Sequence, residues 1–281
     1  MLKIIKKMIV YLVVFWLVSF CILVVFLVKE GCDAAILMYH SVGEPGVAGR
    51  GTLDISEKAF AKQMAFLSRY RYRVIPLSEL EQMLREKKKI SAKTVVLTFD
   101  DGYENNYTKV FPILKKYHFP AAFFIITNFI GKEEHFYDHY FKFMTPAMIV
   151  EMADSGLITI GSHSMNHPFL PKVKDEAALN EEIAGSKKAL ERLLHRSVKA
   201  FCYHIGCFTP HIEGLVRKAG YSVGLTIFPR QGFACDDIYA LKRIKVTDNS
   251  TNPFVFFIET SGYFLRIKET NQCHSMSKHK G

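Results

Sequence analysis

Apolar residues are concentrated in short runs that recur along most of the chain. Most of these runs are continuously apolar and do not alternate with polar residues. Continuous apolar runs of about four to eight residues are typical of parallel β-strands that are covered on both faces. The predicted strands are Ala35–Tyr39, Thr94–Phe99, Ala121–Ile126, Leu157–Ser162, Lys199–His204, Tyr221–Thr226 and Leu241–Val246.

Helix signals occupy the segments between these runs. Because strand and helix alternate about seven times along the chain, the pattern predicts a parallel sheet, either open or closed into a barrel. The helix signals are Ser56 as an N-cap, a capping box from Ser78 to Glu81, Thr145-Pro146 as a start with Gly156 as a stop, and apolar periodicity over 177–195 and 210–220.

Side chains that can carry chemistry stand at the ends of four predicted strands. His40, Asp100 and His163 each follow a strand directly, and His204 ends another. A barrel gathers the carboxyl ends of all its strands on one rim, whereas an open sheet distributes them along an edge. We therefore predict an α/β fold, a distorted (β/α)7 barrel, with the active site on that rim.

The segment Met8–Val28 contains no charged side chain. As a helix it would be about 31 Å long, which is about the thickness of the hydrocarbon core of a bilayer. Three lysines, Lys3, Lys6 and Lys7, precede it, and such positive charge favours the cytoplasmic side. We expect a single-pass anchor in the cell membrane, with the catalytic domain on the extracytoplasmic side.

This interpretation divides the chain into four parts. Residues 1–7 form a cytoplasmic tail, 8–28 the anchor, 33–268 the barrel domain and 269–281 a flexible tail. A cleaved signal peptide is the main alternative, but the apolar run is too long and no small-x-small cleavage site follows it. Lipid attachment at Cys32 and a buried core helix are less favoured alternatives.

Charge and cysteine usage exclude other classes of function. The chain has 281 residues and a net charge of +10, which would draw an exported domain to anionic envelope polymers or lipid headgroups. It carries no recognised nucleic-acid-binding motif, so nucleic acid is not an expected partner. Six cysteines include no Cys-x-x-Cys pair. Disulfides Cys202–Cys207 or Cys235–Cys273, or four free thiols, remain open.

Two short motifs together indicate a metal-dependent hydrolase. The first is Thr98-Phe99-Asp100-Asp101-Gly102, and the second is His163-Ser164-Met165-Asn166-His167. Two imidazoles and one carboxylate can hold a divalent metal and leave a position open for water. The other carboxylate can then accept the proton of that water. Either motif alone also fits a turn or a surface loop, so the inference depends on the pair.

At these motifs the chain resembles the polysaccharide deacetylase family, over roughly residues 35–248. The opening segment Ile36-Leu37-Met38-Tyr39-His40-Ser41 is similar to the exported subgroup that includes poly-N-acetylglucosamine deacetylases. In that subgroup the barrel is circularly permuted, and a catalytic histidine appears near the N-terminus. The resemblance therefore implies the predicted barrel and an N-acetylated polysaccharide as substrate.

The resemblance also implies roles for individual residues. It assigns the metal to Asp101, His163 and His167, with zinc favoured and cobalt, nickel or iron(II) as alternatives. It makes Asp100 the general base and His40 the general acid. The remaining candidates are the backbone N–H of Ile205 for the oxyanion, Tyr103 and Tyr203 for the sugar, His204 as a rival acid, and Arg243, which fits a recurrent family position without an assigned role.

The third family motif departs from its usual form in this chain. Family members commonly have Tyr-Pro-Tyr-Gly, whereas here His204 replaces the proline and Ile205 the second aromatic residue, and Cys202 stands where other members carry arginine. The expected function is removal of N-acetyl groups from an N-acetylglucosamine polymer, either an exopolysaccharide or peptidoglycan. The alternatives are a catalytically inactive glycan-binding relative and a metal hydrolase of another amide or ester.

Overall fold

A computed structural model describes residues 2–28, 34–43, 54–91, 93–136, 139–227 and 237–261. The chain forms two compact units, Met1–Gly31 and Cys32–Gly281. The first unit contains one helix, α1 (Leu2–Val28). The predicted tail 269–281 lies outside the described residues.

The side chains described for α1 are those of residues 6–20, and almost all of them are exposed. Large apolar residues such as Phe15 and Trp16 are among them. Within the described residues, no helix is both long enough and apolar enough to cross a membrane. The predicted span Met8–Val28 continues beyond the side chains described, so it stays a prediction.

A parallel sheet forms the centre of the second unit. Its strands pair in the order β12, β11, β10, β9, β6, β5, β1, β13, with β4 added beside β5. Two short pairs, β2 with β3 and β7 with β8, lie apart from this sheet. The strands are β1 (Ala35–Tyr39), β2 (Val42–Gly43), β3 (Ile55–Ser56), β4 (Arg73–Val74), β5 (Thr94–Phe99), β6 (Ala121–Ile125), β7 (Glu133–Phe136), β8 (His139–Lys142), β9 (Ile158–Ser162), β10 (Ala200–Cys202), β11 (Val223–Thr226), β12 (Leu241–Lys242) and β13 (Ile244–Lys245).

The two ends of the sheet are neighbours in sequence, which nearly closes it into a barrel. β12 pairs with β11, β13 pairs with β1, and only Arg243 separates β12 from β13. Every one of the predicted apolar runs supplies strand residues to this sheet, and a barrel-like parallel sheet is confirmed. The last run is split where the chain changes partner, so eight strands follow one another where the sequence predicted seven.

Helices of the second unit surround the sheet, and all of them except α3 pack on its outer face. Ser56 caps α2 by accepting the N–H of Ala59, and Thr145 caps α5 by accepting that of Met148, as the sequence predicted. The predicted cap at Ser78 is wrong, because α3 already begins at Leu77 behind Pro76. The helices are α2 (Glu57–Arg69), α3 (Leu77–Arg85), α4 (Phe111–Tyr117), α5 (Pro146–Asp154), α6 (Glu176–Asn180), α7 (Ser186–Leu194), α8 (Pro210–Lys218) and α9 (Pro253–Thr260).

Several elements had no counterpart in the sequence prediction. The predicted helix over 177–195 contains a π-helical turn, Glu181–Gly185, between α6 and α7. A second π-helical turn, Asn106–Val110, precedes α4. The antiparallel pair β7–β8 and the last helix, α9, were also not predicted. Each of these elements is short, and none carries a strong apolar period.

Alternate residues of the strands enter two separate apolar layers. Ile36, Val96 and Leu225 belong to one cluster, which also contains Leu80 and Met83 of α3. The other cluster lies between the strands and the remaining helices. Because β4 pairs with the first residues of β5, α3 starts near the amino ends of the strands. Helix α3 therefore closes that end of the barrel, and only the opposite rim is left for the site.

The two cysteines whose side chains are described do not bond to each other. Cys202 is free and buried, and Cys207 is disulfide-bonded to a cysteine outside the described side chains. The alternative pair Cys202–Cys207 is therefore wrong, and so is the alternative of four free thiols. The Cys202 side chain faces the barrel interior, where Arg243 Nη2 donates to its Sγ at 3.0 Å.

Candidate active site

The carboxyl ends of three parallel strands bring these predicted chemical residues together. Asp100 and Asp101 follow β5, His163 follows β9 and His40 follows β1. The Asp100 N–H donates to Tyr39 O at 3.0 Å, and the His163 N–H donates to Ile125 O at 2.9 Å. These backbone bonds extend the strand ladders to the motifs and fix both motifs on one rim.

Asp101, His163 and His167 form a compact triangle of donor atoms. The Nε2 atoms of the two histidines are 3.2 Å apart. Asp101 Oδ1 is 3.5 Å from His163 Nε2 and 3.3 Å from His167 Nε2. Two neutral nitrogens and one carboxylate oxygen are a donor set that suits a divalent transition metal. The side chains predicted as metal ligands are thus gathered at one point.

The size of this triangle suits a bound metal ion. Ligand atoms on a tetrahedral ion with bonds of about 2.1 Å are about 3.4 Å apart, and all three separations lie close to that value. His163 Nδ1 is 2.9 Å from the carbonyl oxygen of Cys202. Because a carbonyl can only accept, Nδ1 carries the hydrogen and Nε2 is left with its lone pair directed at the triangle.

A second group of possible ligands, Asp100, His163 and Cys202, lies beside the first. Arg243 occupies this position, because it donates to both oxygens of Asp100 and to the Cys202 sulfur. Burial also raises the pKa of the Cys202 thiol well above its usual value, which keeps the sulfur protonated. A guanidinium and a neutral thiol disfavour a cation here, so only the triangle is a candidate metal site among the described residues.

Asp100 and Arg243 form a buried bidentate ion pair. Nη1 and Nη2 of Arg243 lie 2.7 Å from Oδ1 and Oδ2 of Asp100, and both side chains are about 2% exposed. Burial alone would raise the pKa of Asp100, but the charge and hydrogen bonds of Arg243, together with the charges of His163 and His40, outweigh burial and lower it to about 2. Arg243, which had no assigned role in the sequence prediction, therefore helps to keep Asp100 ionised and fixes the plane of its carboxylate.

A carboxylate with so low a pKa is a weak base. It can accept a proton readily only from a water that has already become more acidic. The donor triangle lies directly beside Asp100, since His163 Nε2 is 4.0 Å from Asp100 Oδ2. A divalent metal held by the triangle would make such a water more acidic. The weak basicity of Asp100 is therefore suited to a metal site beside it.

His40 approaches Asp100 from the neighbouring strand. Its Nε2 is 4.0 Å from Asp100 Oδ2, and the residue is 9% exposed. The imidazole therefore borders the space above Asp100 and keeps limited access to solvent. This placement suits a proton donor to a group that is held between His40 and the metal ligands.

The altered third motif packs directly against His167, one of the predicted metal ligands. The ring of His204 stacks on that of His167 at a centroid distance of 3.5 Å. Its Nδ1 lies 2.9 Å from Pro168 O, which can only accept. The next residue, Ile205, has a left-handed backbone (φ 56°), a strained conformation for a β-branched side chain. His204 thus joins the loop of Ile205 to the loop of residues 163–167, which carries two of the predicted metal ligands.

The two tyrosines predicted to contact the sugar are buried in the protein. Tyr103 is 2% exposed and packs against Phe141 and Phe143, and Tyr203 is fully buried against Phe208. In the structure both side chains pack into clusters of aromatic residues. The prediction that these side chains bind the substrate receives no support from their position.

Sequence reasoning missed one residue that touches the metal-binding loop, Glu182. It lies in the π-helical turn and is only 8% exposed. Its carboxylate accepts the backbone N–H groups of Met165 and Asn166, each at 2.9 Å. The only signal in the sequence was an acidic residue next to apolar Ile183 in a helical pattern, which does not reveal its contacts.

Known proteins are similar to this chain over the part that contains both motifs. The family model described as polysaccharide deacetylase matches residues 87–224, a range that contains both motifs and leaves out His40 and Arg243. YxkH of Bacillus subtilis strain 168, named as a polysaccharide deacetylase, is 32% identical over 226 residues, which are 80% of this chain and 76% of that protein. The poly-β-1,6-N-acetyl-D-glucosamine N-deacetylase of Staphylococcus epidermidis is 26% identical over 204 residues, which are 70% and 69% of the two chains.

Solved structures are similar to this chain in fold as well as in sequence. The structure of IcaB from Ammonifex degensii superposes with a TM-score of 0.71 at 27% identity, and covers 82% of this chain and 98% of that one. A polysaccharide deacetylase from Bacillus cereus has a TM-score of 0.66 at 26% identity, with 80% of this chain and 68% of the other covered. Similarity in sequence and in fold therefore extends over most of the barrel domain.

Proposed function

Because the chain belongs to the polysaccharide deacetylase family, we propose that it is a metal-dependent N-deacetylase of a cell-envelope polysaccharide that contains N-acetylglucosamine. The observation that carries this proposal is the triangle of Asp101, His163 and His167 beside the ionised Asp100. The reaction consumes water and yields acetate and a free amine on the sugar.

Each residue on the rim takes one task in this reaction. Asp101, His163 and His167 would hold the metal, which lowers the pKa of water and polarises the acetyl carbonyl. Asp100 accepts the proton of the attacking water, and Arg243 keeps its carboxylate oriented. The N–H of Ile205 donates to the oxygen that becomes negative. His40 protonates the nitrogen as the carbon–nitrogen bond breaks.

The assignment of the acid to His40 can be tested against its rival, His204. We expect His40→Ala to lower kcat by about 100-fold or more, because a positioned acid typically contributes about 10²–10⁴-fold. His204→Asn is the matched variant, since an amide can still donate to Pro168 O. We expect it to retain most of the activity. The opposite ranking of the two kcat values would assign the acid to His204.

The choice of substrate is supported by the names of the relatives. Two of them are poly-β-1,6-N-acetyl-D-glucosamine N-deacetylases from staphylococci. Acetate release from β-1,6-linked and β-1,4-linked N-acetylglucosamine oligomers, compared with simple aryl esters, tests this choice. Release from the oligomers is expected. Hydrolysis of the esters alone would favour a metal hydrolase of another class, and glycan binding without any release would favour the inactive relative.

We also propose that residues 8–28 anchor the protein in the cell membrane, with the barrel on the extracytoplasmic side. The uncharged run after Lys3, Lys6 and Lys7 supports this orientation, as do the exposed apolar side chains of α1. Protease added to intact cells should then cleave the barrel domain, as measured on the protein recovered afterwards in the membrane fraction. Protection of the domain until the cells are lysed would contradict the proposed orientation.

A further inference from the structure

We propose that Glu182 is a positioning residue that holds the metal-binding loop, residues 163–167, in the shape that gathers the ligands. This inference rests on the proposed function only in that Asp101, His163 and His167 are taken as the metal ligands. Glu182 itself is not in the ligand triangle, and it reaches the loop from a different element, the turn Glu181–Gly185.

Glu182 contacts the loop through both of its carboxylate oxygens. Oε2 accepts the N–H of Met165 and the N–H of Asn166, each at 2.9 Å, and Oε1 accepts Asn166 Nδ2 at 2.7 Å. Hydrogen bonds to an ionised acceptor are about twice as strong as those between neutral groups. The two residues it holds are the middle of the segment between the two histidine ligands.

The loop needs such support because its backbone is strained. Ser164 and His167 both have left-handed conformations, with φ of 67° and 61°. A left-handed residue other than glycine is strained and persists only when its surroundings enforce that conformation. Hydrogen bonds within the loop run from the Ser164 N–H to Ser162 Oγ and from the His167 N–H to Ser164 Oγ. Neither of these bonds involves the N–H groups of Met165 and Asn166, which donate to Glu182.

The π-helical turn explains how an acidic residue reaches this position. Glu182 and the next residue, Ile183, are both buried, at 8% and 0% exposure. Ile183 enters the apolar layer outside the strands, while Glu182 faces the loop. Single π turns inside α-helices occur frequently at functional sites. Here the turn supplies one apolar and one anionic contact from adjacent residues.

Zinc affinity of the metal-stripped full chain in detergent, measured by competition with a chromophoric chelator, tests the proposal. We expect Glu182→Gln to raise the Kd for zinc by about 10–100-fold, the usual effect of losing a residue that orients metal ligands. The amide keeps the size of the side chain but has only one oxygen to accept the three hydrogen bonds. At saturating zinc, kcat should largely recover, because Asp100 and His40 are untouched.

Glu181→Gln is the matched control, since Glu181 is the exposed neighbour in the same turn. It should leave the Kd within about 2-fold of the parent. Equal Kd values for the parent and Glu182→Gln would overturn the proposal. A lower melting temperature of metal-free Glu182→Gln with unchanged zinc affinity would overturn it too, because Glu182 would then contribute only to stability. A parent chain that neither binds zinc nor releases acetate would instead refute the proposed function, which separates the two failures.

Discussion

Replacing Asp100 by asparagine is expected to lower kcat for acetate release by about 10²–10⁴-fold while the folded protein keeps its metal. The loss follows because asparagine cannot accept the proton of the attacking water, and a positioned base contributes about this factor. The metal is retained because Asp100 is not one of the triangle donors. Steady-state kinetics and metal analysis of the same sample measure both quantities.

This variant also disturbs the buried ion pair, which the experiment has to take into account. Asparagine leaves the Arg243 guanidinium buried without its counter-charge, and removal of one partner of a buried pair costs about 3–5 kcal/mol. Metal content should therefore be expressed per folded molecule, as measured by circular dichroism. Asp154→Asn is the control, because Asp154 pairs with Arg196 on the exposed surface. Full activity of folded Asp100→Asn would remove Asp100 as the base.

His163→Ala should remove most of the bound metal and with it nearly all turnover. The substitution deletes one of three donor atoms, and it also frees the Cys202 carbonyl that fixes the imidazole. Two remaining donors hold a divalent ion far less tightly than three, so the purified variant should contain little zinc even when it is folded. Elemental analysis after dialysis against zinc at a fixed free concentration measures this loss.

His211→Ala is the matched control for that experiment, because His211 is an exposed histidine that pairs with Glu176 and is not one of the triangle donors. It should keep the metal content and the activity of the parent. A metal content of His163→Ala equal to that of the parent would contradict the ligand assignment. Loss of metal in both variants would point to a general effect of the substitution and not to the triangle.

The positions of the strands along the chain could be predicted, because the composition that a buried parallel strand requires lies within the strand itself. Runs such as Thr94–Phe99 are apolar throughout, and a strand buried on both faces requires that composition. The rule that parallel strands place their carboxyl ends on one rim then brought Asp100 and His163 together without any knowledge of contacts. The prediction succeeded for site residues whose position depends only on the end of a strand, such as Asp100 and His163.

Contacts between distant segments could not be predicted in the same way. Arg243 and Asp100 are separated by 143 residues, and only the closure of the barrel makes them partners. Left-handed backbone at Asp101, His167 and Ile205 has no signal in sequence, because none of these residues is glycine. The burial of Tyr103 could not be predicted for a related reason: a tyrosine beside a motif can face the core as readily as the substrate.

The altered third motif has a physical explanation in the folded chain. The usual proline at this position restricts the backbone, whereas His204 restrains its loop through a stacking contact with His167 and a hydrogen bond to Pro168 O. The substitution therefore replaces the backbone restriction of a proline with a restraint through the contacts of the His204 side chain. It leaves the ligand triangle and the Asp100–Arg243 pair in place, which favours an active enzyme over an inactive relative.

Acetate release by the full chain, stripped of metal and then supplied with zinc, tests the central claim most directly. N-acetylglucosamine oligomers are the substrate, and the zinc content of the protein is measured in parallel. We predict no release without metal and recovery of release as about one equivalent of zinc is bound. Bound zinc on a folded chain without any release, or equal release with and without metal, would contradict the proposed metal-dependent deacetylase.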